Sequence, residues 1–484
     1  MKNIIIVIGF LFISNSIAFA NKCNKNYTLI TISGYISDQN IKSFDKLPEI
    51  WYYDHFNINQ ANSGQILPVI IKNNKFTIRI KPNGEVGYFK FRGKYINSIC
   101  LDLFLVQPGD SIYISMNSNG NIHFTGKGIE KIQFQQYVGT LKNNARSKNF
   151  MDNDAESIPY YVATARENLK LAMDSLKALS HLLPNNVYNV LKYNTASEIN
   201  SNLLVNLSGI YGGMDSNKKV LILDELALIN RVQTAFATTD YFVIDNSFVY
   251  TQYLFDFQKR YYKLLSGDIF NSIPCETVYN VIKKNFDDLL RDKLIELTFL
   301  NYAQQPGVNE LISNALSVVK DSACLNTIKQ FKNARMEGEK AFNFSFEDSK
   351  GKKITLNDLK GKVVILDTWF NGCLGCVGLA RRMEPIIDKY KNNPDIIFLG
   401  VNVDQDRKRF IDGMNSGLYG AKQTVYAFTS GKGQHDPFLL YYQYSSFPNL
   451  LLIDKQGYVI SSNPVRPIDN KTTQEFMNLI DKNL

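Results

Sequence analysis

Cysteine and histidine are both scarce in this 484-residue chain, at six and four residues, and that scarcity excludes two kinds of protein. Six cysteines over such a length are far too few for a small scaffold held together by disulfides, where cysteine exceeds roughly 8–10% of residues. The histidines His55, His123, His181 and His435 are scattered singly, and no second C-x-x-C accompanies the one at 373–376, so no metal site is expected. There is no Lys/Arg-rich run, and the net charge of +9 from 54 Lys+Arg against 45 Asp+Glu is dilute, falling to +8 if Lys2 is removed. Nucleic acid is therefore not an expected partner. No internal repeat or low-complexity stretch is present, and beyond the N-terminus no run approaches 18 apolar residues, so no transmembrane segment is expected in the mature chain. What the composition does hold is 45% hydrophobic and 12% aromatic residues, enough for a core in each of roughly three domains of about 150 residues. Disorder as the main state is excluded.

The N-terminus reads as a secretory signal peptide over residues 1–20. Met1-Lys2-Asn3 is a short basic start, Ile4 to Ile13 a nearly unbroken apolar run, and Ala18-Phe19-Ala20 a small-x-small cleavage site. Ser14-Asn15-Ser16 stops the run well short of the ~20 residues a membrane span needs. Lipid modification at Cys23 is not expected, because Ala20-Asn21-Lys22 lacks the small residues that precede a modified cysteine. The mature chain is expected in the periplasm or cell envelope, where disulfide chemistry is available.

The organisation then changes twice, giving an expected multidomain fold. Residues 21–128 carry short period-two runs such as Tyr27 to Ser37 and Phe76 to Ile80, separated by Pro82-Asn83-Gly84, Pro108-Gly109-Asp110 and Asn117-Ser118-Asn119-Gly120, and predict an all-β, antiparallel, sandwich-like domain. Residues 129–336 lengthen the period and predict an α-helical domain. Its stripes run over Tyr160 to Leu179, Val187 to Tyr211 and Lys219 to Phe236, with breaks at Pro184, Gly212-Gly213 and Pro306-Gly307. Val278, Val281, Ile282, Phe286, Leu289, Leu290 and Leu294 trace one face of a single helix from near Thr277. The polar stretch Asn333 to Lys340 reads as a linker. Residues 337–484 then alternate strand and helix and predict a mixed α/β domain. Its elements are short strands at Phe342–Phe346 and Lys353–Leu356, buried strands at Val363–Leu366 and Ile396–Val401, helices at Gly372–Lys391 and Asp406–Asn415, a hairpin about Lys455-Gln456-Gly457, and a terminal helix at Thr472–Lys482.

The chemistry lies at Cys373-Leu374-Gly375-Cys376, directly after a buried strand and opening a helix. Unpaired N–H groups and the partial positive charge of a helix N-terminus favour a thiolate on the first sulfur, and such sites lower a thiol pKa from about 8.5 to roughly 3.5–7.5. Cys373 is thus the expected attacking thiol. Cys376, one turn inside, is the expected resolving thiol.

Ala341-Phe342-Asn343-Phe344-Ser345, the run Leu359 to Trp369 and the C-x-x-C together resemble a TlpA/ResA-type thioredoxin-like thiol:disulfide oxidoreductase. The β-then-helical arrangement before residue 337 resembles secreted proteins of this family from Bacteroidetes-like bacteria. The resemblance implies that Phe447-Pro448 is a cis pair facing the sulfurs and presenting backbone to substrate, the other reading being an ordinary trans proline opening a strand. It implies that Trp369 walls the site. It aligns Asp367 with a buried carboxylate that takes the proton of the resolving thiol, against the plainer reading of a structural aspartate. Gly375 stands where the family often has proline, Gly372 where it often has an aromatic, and Glu384-Pro385 lies further from the C-x-x-C than usual. With no His or Lys between the cysteines to stabilise the thiolate further, the pair is expected to donate electrons. The expected activity is reduction of disulfides in exported proteins, without cofactor, fed by a membrane thiol electron donor.

Two other functions compete. A thiol peroxidase shares the fold but needs Pro-x-x-x-Thr-x-x-Cys, where this chain has Leu366 and Phe370. A cell-envelope binding protein with a docking thioredoxin-like domain is the second. Of the three possible connectivities of the remaining cysteines, Cys275–Cys324 with Cys23–Cys100 is the first to test.

Overall fold

The computed structural model describes residues 27–36, 49–54, 65–92, 103–116, 122–146, 157–235, 237–267, 272–303, 305 and 307–484. The expected signal peptide, Cys23, Cys100 and the turn at 117–120 lie outside these residues. An N-terminal β region, a helical middle and a C-terminal α/β domain follow one another along the chain.

Two four-stranded sheets form the β region. The first comprises β1 (Ile30–Ile36), β4 (Lys75–Ile80), β7 (Ser111–Met116) and β8 (Ile122–Lys127), in the order β4-β1-β7-β8. The second comprises β2 (Glu49–Tyr53), β3 (Gln65–Pro68), β5 (Gly87–Arg92) and β6 (Phe104–Val106), in the order β3-β2-β5-β6. Their facing sides share one core containing Ile30, Ile32, Ile112, Ile50, Phe89 and Phe104, which makes a sandwich. β1 alternates buried and less buried residues as a sheet with one covered face should. β2 and β6 do not alternate, because the second sheet is covered on both faces: Trp51, Tyr53, Tyr88 and Leu105 pack on helical residues such as Phe134, Val138 and Leu191. The sandwich is not wholly antiparallel. β1 pairs with β7 in parallel, since the chain visits the second sheet between them.

Helices α1 (Ile129–Arg146), α2 (Ser157–Ala178), α3 (Asn185–Tyr211), α4 (Ser216–Ala235), α5 (Tyr241–Asn246) and α6 (Phe248–Leu265) follow. The buried pair Lys131–Asp110, at 3.0 Å, ties α1 to the sandwich. The single helix expected from near Thr277 is two: α7 (Cys275–Asn285) and α8 (Asp288–Asn301). Phe286 and Asp287 are extended and Asp288 takes φ +46°, which breaks the ladder. Phe286, Leu289 and Leu290 are nevertheless all buried, so the apolar pattern runs on through the break. α9 (Ile312–Val318) and α10 (Ser322–Arg335) complete the region.

The expected Cys275–Cys324 bridge is absent, and both thiols are buried. Cys275 opens α7 beside the turn at Gly307, whereas Cys324 lies in the first turn of α10 with its Sγ 3.4 Å from Glu296 Oε2 on α8. Burial pushes the Cys324 thiol up, the Glu296 charge adds to this, and burial also raises Cys275. Neither is a ready thiolate. In the native protein without reductant both should resist alkylation, and peptide mapping after denaturation should recover each as a free thiol. Recovery of a Cys275–Cys324 bridged peptide would contradict this placement.

Asn333 to Lys340 is not a slack linker. Asn333 to Arg335 end α10, and the following segment hydrogen-bonds along the hairpin through Gly338 N to Val459 O, Val459 N to Glu339 O and Ala341 N to Gly457 O. Arg335 is buried at this junction without a carboxylate. Its guanidinium donates to the carbonyls of Ala303 and Tyr442 and lies over the rings of Phe331 and Tyr444, while its own carbonyl accepts from Ser462 Oγ.

The C-terminal domain holds a seven-stranded sheet in the order β10-β9-β13-β12-β11-β14-β15. Its strands are β9 (Ser345–Glu347), β10 (Lys353–Thr355), β11 (Val363–Trp369), β12 (Ile396–Asn402), β13 (Val425–Phe428), β14 (Asn449–Ile453) and β15 (Val459–Ser461). β11, β12 and β13 are parallel and β14 returns antiparallel against β11. Helices α11 (Leu374–Tyr390), α12 (Arg407–Asn415), α13 (Pro437–Tyr442) and α14 (Asn470–Asp481) cover the faces, so β11, β12 and β14 are almost entirely buried.

Candidate active site

Central strand β11 delivers the chain to the site. Its run Val363 to Leu366 is buried on both faces of the sheet, and the strand extends through Asp367 and Thr368 to Trp369. The turn that follows is fixed from outside. Asn371 N donates to Asp404 Oδ2 at 2.8 Å, Asp404 Oδ1 holds Arg409 Nε at 2.8 Å, and the Arg409 guanidinium returns to the Asn371 carbonyl. Gly372 sits at φ +102° with its N–H on Tyr419 Oη at 2.6 Å. Side chains rarely adopt that conformation, which accounts for the missing aromatic residue.

Cys373 is the N-cap of α11, and its Sγ accepts the Cys376 N–H at 3.1 Å. That donor is one of the helix-end N–H groups left without a backbone partner, so it and the helix dipole favour negative charge on Cys373. Cys373 and Cys376 are joined in a disulfide of 2.02 Å. Both are buried, whereas Leu374 between them is 87% exposed and projects at the surface of the pair. The Phe447–Pro448 bond is cis. The Phe447 carbonyl stands 4.0 Å from Cys373 Sγ, and Pro448 packs against the first turn of α11 at Gly375. Phe447 is half-buried with its ring edge-on to Phe370 at 5.9 Å, and both pack against the cluster that holds Cys373.

Trp369 lies behind the pair rather than beside a bound chain. It is fully buried, stacked on Tyr419 at 4.5 Å and packed in one cluster with both cysteines. A Cβ at Gly413 on α12 would come within 2.7 Å of the indole, so this glycine opens the seat. An indole in that seat has no surface to offer a substrate; it supports the cysteines from within.

Asp367 projects beneath the sheet surface, where its carboxyl, the Trp369 Nε1 and Thr424 converge over Gly400. It borders a void of about 20 Å³ that Thr424, Tyr419 and Gly420 also line. Burial pushes the Asp367 carboxyl up from 3.8 to about 7. Tyr426 is raised to about 12, first by burial and then by the Asp367 charge, which places its phenol in the same electrostatic neighbourhood. An acid titrating near neutrality can accept or return one proton during a reaction. Glu384, by contrast, is exposed on α11. Among the described residues no group of three or more His, Cys, Asp or Glu is placed to hold a metal ion.

The C-x-x-C is a local motif of the sequence, and Asp367 and Pro448 were singled out through the resemblance. Asp404, Arg409, Tyr419 and Gly413 were not, because each acts through a contact made only once α12 and its flanking loops pack on the turn.

A thioredoxin-like family model matches residues 361–459. The thiol-disulfide oxidoreductase ResA of Bacillus subtilis (strain 168) is 29% identical over 157 residues, covering 32% of this chain and 82% of ResA. The thiol-disulfide oxidoreductase ResA of Bacillus thuringiensis subsp. konkukian (strain 97-27) is 33% identical over 132 residues, covering 27% of this chain and 70% of that protein. Among solved structures, a thiol:disulfide interchange protein from Bacteroides sp. is 23% identical and covers 31% of this chain and 90% of its own, with a TM-score of 0.26.

Proposed function

Since this chain belongs to the ResA family of thioredoxin-like thiol-disulfide oxidoreductases, we propose that it reduces disulfides of exported proteins through Cys373 and Cys376. The observation that carries the reading is the placement of Cys373 Sγ at the head of α11, 3.1 Å from the Cys376 N–H and 4.0 Å from the Phe447 carbonyl.

In the dithiol form, the Cys373 thiolate attacks one sulfur of the substrate disulfide. A mixed disulfide forms and the other substrate sulfur leaves as a thiolate. Cys376 passes its proton to Asp367, attacks Cys373 Sγ and expels the second substrate sulfur. The pair ends as the Cys373–Cys376 disulfide, and two electrons have moved to the substrate. Phe447 and Pro448 position the substrate chain. The same reading takes in a signal peptide over residues 1–20, a periplasmic or cell-envelope location, and a membrane thiol donor that returns the two electrons. The N-terminal regions, divided at about 21–128 and 129–336 from the thioredoxin-like 337–484, serve to place the site. Among the described residues no helix is long and apolar enough to cross a membrane.

A stoichiometric test decides the activity. Reduced protein mixed with a protein disulfide should lose two thiols for every two the substrate gains, and Cys373→Ser should abolish the exchange. Exchange that persists in folded Cys373→Ser would remove the assignment.

A further inference from the structure

Beside the redox pair, towards β12 and α12, lies a cavity of about 500 Å³ that the exchange chemistry does not use. Its apolar side is formed by Phe370, Phe447 and Val403, and its polar side includes Asp404, Asp406 and Arg409. Two of the apolar walls touch the reacting residue: the Phe370 carbonyl accepts Cys373 N at 3.2 Å and the Phe447 carbonyl stands 4.0 Å from Cys373 Sγ. A polypeptide whose cysteine reaches Cys373 therefore brings a neighbouring side chain to the mouth of this cavity.

The charges of the lining do not cancel. Asp404 is saturated, since Oδ1 holds Arg409 Nε at 2.8 Å and Oδ2 accepts Asn371 N at 2.8 Å and Asn402 Nδ2 at 3.0 Å. Arg409 is committed to Asp404 and to the Asn371 carbonyl. Asp406 is exposed and caps α12 through Oδ1 on Lys408 N at 2.8 Å, which leaves a second carboxylate against a single guanidinium. Apolar and aromatic walls with one uncompensated negative charge suit a side chain with a long apolar stem and a cationic head.

We propose that this cavity is a specificity subsite for an arginine or lysine that neighbours the substrate cysteine. The proposal rests on the oxidoreductase reading above and adds a substrate class to it. The preference is local, because the chain as a whole carries +9 and repels a basic substrate at long range.

The test uses the full-length reduced protein and three cystine peptides that differ only in carrying Arg, Gln or Glu on both sides of the cysteine. Each rate constant is divided by that of a small dithiol with the same peptide, which removes the intrinsic effect of charge on the leaving thiol. Arg should exceed Glu by about tenfold after this correction, equivalent to about 1.4 kcal/mol. Raised salt should reduce the preference, because Asp406 is exposed, and should also weaken the long-range repulsion. In Asp406→Asn, which keeps a good helix cap, the Arg:Glu ratio should fall to about twofold while the Gln peptide reacts as before. A corrected ratio near one, or a ratio unchanged in Asp406→Asn, overturns the subsite. Failure of all three peptides to exchange overturns the oxidoreductase reading, and the subsite with it.

Discussion

Cys376→Ala protein should accumulate as mixed disulfides through Cys373, and in the cell this should convert most of the protein to higher-mass, reductant-sensitive species. The expected effect is close to all-or-none. Attack by Cys373 joins it to the substrate, and in the parent protein Cys376 removes that bond from within the first turn of α11. Without it, release waits for an external thiol. Cys373→Ala should not trap, because Cys376 lies inside the first turn of α11 and is not its N-cap, so it lacks the helix-end N–H group that favours a thiolate on Cys373. Non-reducing electrophoresis followed by identification of the captured proteins reads both arms, and equal trapping by Cys373→Ala would reverse the roles. The captured set also tests whether the substrates are exported.

Asp367→Asn should slow release of the mixed disulfide by up to roughly 10²–10⁴-fold, the range ascribed to general acid–base help, while the first attack by Cys373 changes much less. In the parent, the release rate should rise with pH through about 7, where the Asp367 carboxyl becomes able to accept a proton. In Asp367→Asn that inflection should vanish. Stability moves the opposite way. Folding raises this carboxyl from 3.8 to about 7, so the folded state holds the proton more tightly than the unfolded state does. The resulting stability is fully present below about pH 4 and is lost as pH rises through about 7. Above pH 7 the variant should be the more stable, by no more than about 4 kcal/mol, and the difference should shrink towards pH 4. Urea unfolding at the two pH values and stopped-flow release separate catalytic loss from unfolding. An unchanged release rate in a folded Asp367→Asn protein would leave water or the departing substrate thiolate as the proton acceptor.

What could be read in advance follows from how local each signal is. Cys373 and Cys376 stand out in the sequence because strand, pair and helix are contiguous, whereas Asp367 entered only through the resemblance to a family. The α7–α8 break was not legible, since Phe286, Leu289 and Leu290 stay buried on either side of it and keep the apolar period intact. β13 and α13 escaped because they are short, at four and six residues, too few for periodicity to register. The burial of Trp369 has a different origin. Whether an indole faces solvent or core depends here on the space left at Gly413, a contact between distant segments that no local pattern encodes. The parallel β1–β7 pairing is likewise a matter of topology.

Arg335 bears on how encounters happen. A catalytic head on a loose tether samples many directions and trades aim for reach, as tethered modules do when linker length sets their effective concentration. Here the tether is replaced by a joint. A cation held by carbonyls of Ala303 and Tyr442 and sandwiched near Phe331 and Tyr444 locks the head to the helical body, and the segment carrying Tyr442 runs on to Phe447. The bearing of the sulfur is therefore set by the helical body through a fixed joint rather than by the reach of a linker.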